Sequence, residues 1–179
     1  VSHLMLHELY HLKLICDARK NDENYLFTSD TKQENEFKSS LTKYRRKLLN
    51  KGVSEQQVDK LLLSLFHGIN TQVYNAAIDL FIEDLIHKEH PDIRVIQFLS
   101  LYNLVKKGIE ATTSDNVVND LPSQVISKSK ILNLVTALHF KDLFGVDLIS
   151  DFKASKTEIN QAETFFEEFK EYQEDKAPG

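Results

Sequence analysis

Breakers are scarce in this chain: five glycines and three prolines interrupt 179 residues. Glycine and proline are the strongest stops to a helix, so their rarity favours long helices joined by short loops. No stretch alternates polar and apolar residues for long enough to require a strand. The expected fold class is all-α, a single helical domain over residues 1–179. Helices are predicted over about 2–19, 36–50, 55–67, 71–89 and 91–107, then through SQVISKSKILNLVTALHFKDLFG, and finally through the closing segment. Gly52, the His67-Gly68 pair and Gly108 read as helix ends. Pro91 suits a first helical position. Ser54 with Gln57, and Ser155 with Glu158, read as capping boxes. The polar, aperiodic stretch 20–36 is expected to be a mobile loop, and ATTSDNVVNDLPS a second loop.

The formal net charge of -5 makes a general nucleic-acid binder a poor expectation. The single cysteine, Cys16, forms no internal disulfide. No apolar run reaches the ~20 residues a membrane helix needs, and no signal peptide is visible, so a cytoplasmic location is expected. The chain opens at Val1 rather than methionine, already inside a helical pattern, and is expected to be the C-terminal part of a larger protein.

The opening helix carries the most chemistry. At 100° per residue His3, His7 and His11 fall on one stripe, beside Leu4, Leu14, Ile15 and Ala18. Met5, Leu9, Leu12 and Cys16 lie opposite, and only Ser2, Lys13 and Asp17 form a polar strip. A helix so nearly apolar all round is expected in the middle of a core. Imidazoles placed there must be hydrogen-bonded or must bind something. Two histidines at i and i+4 can both reach one zinc ion, and a neighbouring carboxylate can take a proton from metal-bound water.

HELYH, residues 7–11, resembles the active-site helix of the zincin metallopeptidases. The resemblance implies a zinc cofactor, His7 and His11 as ligands, Glu8 as general base, and a peptide or protein as substrate. Leu14 and Asp17 stand where the metzincin pattern continues with glycine and histidine, so the third ligand must lie elsewhere. Zincins of known fold present a sheet edge upstream of this helix, which here is expected to precede Val1.

NAAIDLFIED, residues 75–84, supplies the candidates for that ligand. Ile78, Phe81, Ile82, Leu85 and Ile86 make a wide apolar arc. Asp79 lies at its edge and Glu83 one step further toward the polar side, with Asp84 on the far side. An ionised group beside an apolar face needs a partner, which makes Asp79 the stronger candidate and Glu83 the alternative. Asn75, inside the arc, is a candidate for orienting a ligand through a hydrogen bond. The pattern N-x-A-x-D-x-x-I-E is also similar to a helix of some zincin-like families, where an acidic residue completes the zinc site. Thermolysin-like members of that group carry Glu followed four residues later by Asp, an order reversed here.

Other residues invite plainer readings. His87 and His90 sit where a helix C-terminus favours cations. His139 lies in an apolar stretch and reads as a satisfied core histidine. The transition-state donor stays unassigned. A different class of function is a non-enzymatic helical interaction module in which HELYH arose by chance or survives as a relic.

Overall fold

Eight α-helices and no strand make up residues 2–20 and 29–176, the part of the chain described by the structure, a computed structural model. In chain order they are α1 (His3–Lys20), α2 (Thr31–Ser40), α3 (Thr42–Asn50), α4 (Glu55–Glu89), α5 (Arg94–Thr113), α6 (Asp115–Asp120), α7 (Ser123–Phe144) and α8 (Lys156–Lys176). Short 3₁₀ turns at Pro91–Ile93 and Ile149–Phe152 join α4 to α5 and α7 to α8. The all-α class read from the sequence is the class observed. No described helix is long and apolar enough to cross a membrane.

Several boundaries differ from the sequence reading. Part of the loop expected over 20–36 falls on residues 21–28, outside those described, but α2 begins at Thr31. Its start is set by a capping box: Gln33 N donates to Asp30 Oδ1 at 2.7 Å, and Asp30 N donates back to Gln33 Oε1 at 3.0 Å. The loop expected after α5 contains the short α6.

The stop expected at Gly68 does not occur, because α4 runs unbroken for 35 residues from its capped start at Ser54. One interior glycine costs about 1 kcal/mol relative to alanine. Val58, Leu62 and Phe66 before it and Leu80, Ile82 and Ile86 after it are buried. Each such side chain contributes about 1.5–3 kcal/mol, so tertiary packing outweighs the local penalty.

Gly108 does not end a helix either. A Cβ at this position would run into the Asn133 side chain, so α5 and α7 approach closely at their crossing. Gly52 does follow a helix end, at φ +83, a left-handed conformation that L side chains rarely adopt.

The main core forms where α7 meets α4, α5 and α8, around Leu80, Leu101, Val105, Leu134, Phe140, Phe152 and Phe169. A second cluster joins Leu41 of the α2–α3 junction to Val58, Leu62 and Val125. A third, Tyr10 with Ile82 and Ile86, seats α1 on the second half of α4.

The expectation that α1 occupies the middle of a core is overturned. Only His3 and Tyr10 of this helix are buried, while Leu4, Met5, Leu9 and Leu12 are each more than half exposed. Its buried side is the histidine stripe rather than the aliphatic flank, because the partners waiting on α4 are carboxylates.

Candidate metal centre

The i, i+4, i+8 spacing sets His3, His7 and His11 on successive turns of α1, facing Asp79 and Glu83 on successive turns of α4. Glu83 is 3% exposed and bonded through both oxygens. His7 Nδ1 donates to Oε1 at 2.8 Å, and His3 Nε2 donates to Oε2 at 2.8 Å. Gln97 of α5, itself fully buried, donates to Oε2 at 2.7 Å and to the Glu83 carbonyl at 2.8 Å. His87 Nδ1 in turn lies 3.1 Å from Gln97 Oε1.

This network decides how His7 is presented. An ionised Glu83 only accepts hydrogen bonds, so His7 must carry a hydrogen on Nδ1. In the neutral ring Nε2 then holds a lone pair, and it points away from Glu83. Nε2 of His7 lies 3.1 Å from Nε2 of His11 and 3.4 Å from Asp79 Oδ1, while His11 Nε2 lies 3.2 Å from the same oxygen. Asp79 Oδ1 is buried and accepts no hydrogen bond, although the carboxylate as a whole is 39% exposed. It is the one buried side-chain polar atom without a hydrogen bond among the described residues.

The three atoms fit a zinc ion. Zinc–ligand bonds of about 2.0–2.1 Å in tetrahedral geometry place ligand atoms about 3.3 Å apart. The observed edges of 3.1, 3.2 and 3.4 Å bracket that value. His7, His11 and Asp79 could therefore supply three ligands to a metal ion, and Glu83 would orient one of them through its other nitrogen.

The same contacts account for the electrostatics. Burial disfavours a charged His7, but the carboxylates of Asp79 and Glu83 outweigh it and raise the ring from 6.5 to about 9. Burial likewise favours a neutral Glu83, yet hydrogen bonds from His3, His7 and Gln97 lower it from 4.5 to about 2. His7 and Glu83 are thus a buried ion pair flanked by Asp79.

A cavity of about 50 Å³ adjoins the centre, lined by His7, Asp79 and Glu83 on one side and by Leu101, Leu104, Thr136 and His139 on the other. His139 is buried, as expected, and its Nε2 lies 2.8 Å from Asp84 Oδ1.

The structure brings His7, His11 and Asp79 together, and it corrects the reasoning that ranked the carboxylates. Glu83, expected nearer the polar side, is the deeply buried one, whereas Asp79 is partly open. Asp84, expected on the far side, is buried against His139 because α4 is covered from two directions. Asn75 is exposed and takes no part in the hydrogen bonds around the centre. Glu83 and Gln97 do the orienting instead. Glu8 is exposed on α1, one residue from His7. His3 and Gln97 were not singled out as site residues from sequence. The histidine stripe carried the signal for His3, and nothing local marks Gln97, which reaches Glu83 only through the α4–α5 packing. The sequence matches no protein-family model and no curated protein, and the fold matches no solved structure.

Proposed function

We propose that this chain is a helical, zinc-binding metallopeptidase that hydrolyses peptide bonds. The observation that carries the reading is the triangle of His7 Nε2, His11 Nε2 and Asp79 Oδ1, whose edges suit one tetrahedral zinc. Bound zinc polarises a scissile carbonyl and lowers the pKa of the water it carries. His7 and His11 hold the metal from one face of α1, and Asp79 completes the set from α4. Glu83, locked by Gln97 and His3, keeps His7 in the tautomer that frees Nε2. Glu8, next in sequence to His7, is assigned to accept the proton of the attacking water and return it to the leaving amine. The substrate is a peptide or protein.

Two measurements test this together. Protein purified without chelator should hold about one zinc per chain by elemental analysis, and His11→Ala should lose it. Glu8→Gln should keep the zinc and lose hydrolysis of a mixed peptide library. Zinc content far below one in the wild type removes the site. Hydrolysis at the wild-type rate in Glu8→Gln removes the base.

A second reading is favoured by the small cavity and by the exposed aliphatic residues around Glu8. In it the zinc is structural and the chain is an interaction module. That reading expects chelation to lower the melting temperature with no peptide turnover at any stage.

A further inference from the structure

The outward face of α1 is the least explained surface of the molecule. Met5, Leu12 and Ile15 are 56%, 59% and 41% exposed, with Leu4 at 68% and Leu9 at 51% beside them. Residues 5, 8, 12, 15 and 19 follow the three-four spacing of a coiled-coil seam. Two of the five are charged, Glu8 and Arg19. Neither has an ion-pair or hydrogen-bond partner in its own chain among the described residues. The helix's other charges behave differently, because Lys13 and Lys20 both pair with Asp17, at 3.4 and 3.2 Å.

We propose that this face pairs with the same face of a second copy of the chain, α1 against α1 in antiparallel orientation. The charge pattern selects that occupant. In an antiparallel seam each position of one type faces the other type across the axis. A two-fold axis level with the Lys13–Leu14 peptide sets Leu12 opposite Ile15 of the second copy. The same axis sets Glu8 opposite Arg19, twice over. Glu8 and Arg19 are eleven residues, about 16 Å, apart along the helix, and only the antiparallel register satisfies both ion pairs at once. The arrangement is isologous and closes on itself, so it stops at two copies. A parallel pairing would instead stack Glu8 on Glu8 and Arg19 on Arg19.

One eighteen-residue helix per copy makes a short seam, so the association is reversible and depends on concentration. It does not require the metal reading, since the seam residues are exposed while the histidines that would bind metal are turned to α4. Where both hold, the dimer also ties up Glu8, and the monomer is the species with a free base.

Sedimentation equilibrium of the full chain over a concentration series tests the pairing, with zinc content followed separately on the same samples. The wild type is expected to shift from monomer to dimer as concentration rises. Arg19→Glu and Glu8→Arg, each creating two like-charge contacts per dimer, are expected to abolish the shift. The double variant Glu8→Arg with Arg19→Glu restores both ion pairs in swapped order and is expected to restore the dimer. All these positions are exposed, and far-ultraviolet circular dichroism checks that each variant keeps its helicity. A wild type that stays monomeric at every concentration overturns the proposal and leaves the face to a different partner. It is equally overturned by a dimer indifferent to the single reversals, by a double variant that stays monomeric, or by growth beyond two copies.

Discussion

His7 donates its Nδ1 hydrogen to Glu83 Oε1 at 2.8 Å, and this bond turns the opposite nitrogen of the ring toward His11 and Asp79. A carboxylate that serves a histidine in this way acts on metal affinity without touching the metal. Replacing Glu83 with glutamine keeps the shape and weakens the acceptor. Zinc affinity is expected to fall about 10–100-fold. The folded state should also lose roughly 3 kcal/mol, because a buried charge network is left half-made. Isothermal titration with zinc and urea denaturation read the two effects separately.

Asp79→Ala should behave differently. It removes an atom of the triangle itself, so the loss of zinc affinity should exceed that of Glu83→Gln. Its cost to the zinc-free fold should be smaller, since the carboxylate is partly open and its contacts with His7 and His11, at 3.4 and 3.2 Å, are longer than those of Glu83. If Glu83→Gln strips the metal while Asp79→Ala retains it, the assignment of ligand and support is reversed.

The zinc-free protein should show a two-sided pH dependence from this centre. His7 is raised from 6.5 to about 9, so its contribution is complete below 6.5 and is lost as pH rises through 9. Glu83 is lowered from 4.5 to about 2, so its contribution is complete above 4.5 and is lost as pH falls through 2. Chemical denaturation should find both contributions intact between 4.5 and 6.5. Zinc must displace the His7 proton below pH 9, so binding near neutrality should release about one proton. Calorimetry in buffers of different ionisation enthalpy measures that number, and a value of zero would place the metal away from His7.

At the α5–α7 crossing, Gly108→Ala is expected to cost about 1–3 kcal/mol through overpacking against Asn133. Asn133 cannot swing away freely, because its Nδ2 donates to the Ser129 carbonyl at 2.8 Å. In an Asn133→Ala background the same substitution should cost much less. A double-mutant cycle by urea denaturation gives the coupling, and strict additivity would mean that the close approach is not what selects glycine.

Features encoded within one turn were readable from sequence. The capping boxes at Ser54 and Ser155 form as spelled, and the i, i+4 spacing of His7 and His11 places the two rings side by side. Features decided by a neighbour were not. Gly68 and Gly108 look alike in the chain, yet one is carried through by burial on both sides of it and the other lies against the Asn133 side chain. Glu83 seemed solvated because its own helix places it off the apolar arc. It is α1 and Gln97 that bury it, and neither appears in the periodicity of α4.

Gly68 also divides the molecule mechanically. α4 is a rod of 35 residues, about 52 Å long, and Gly68 has open space around it where a side chain would sit. Every group that would touch or support zinc lies on one side of that point: α1, the second half of α4, and Gln97 of α5. Flexing at Gly68 would swing the Val58–Leu62 end as a lever while the distances among His7, His11, Asp79 and Glu83 stayed fixed. A bend at that glycine would therefore leave the four side chains on the same side of it, α1 and the second half of α4 moving together.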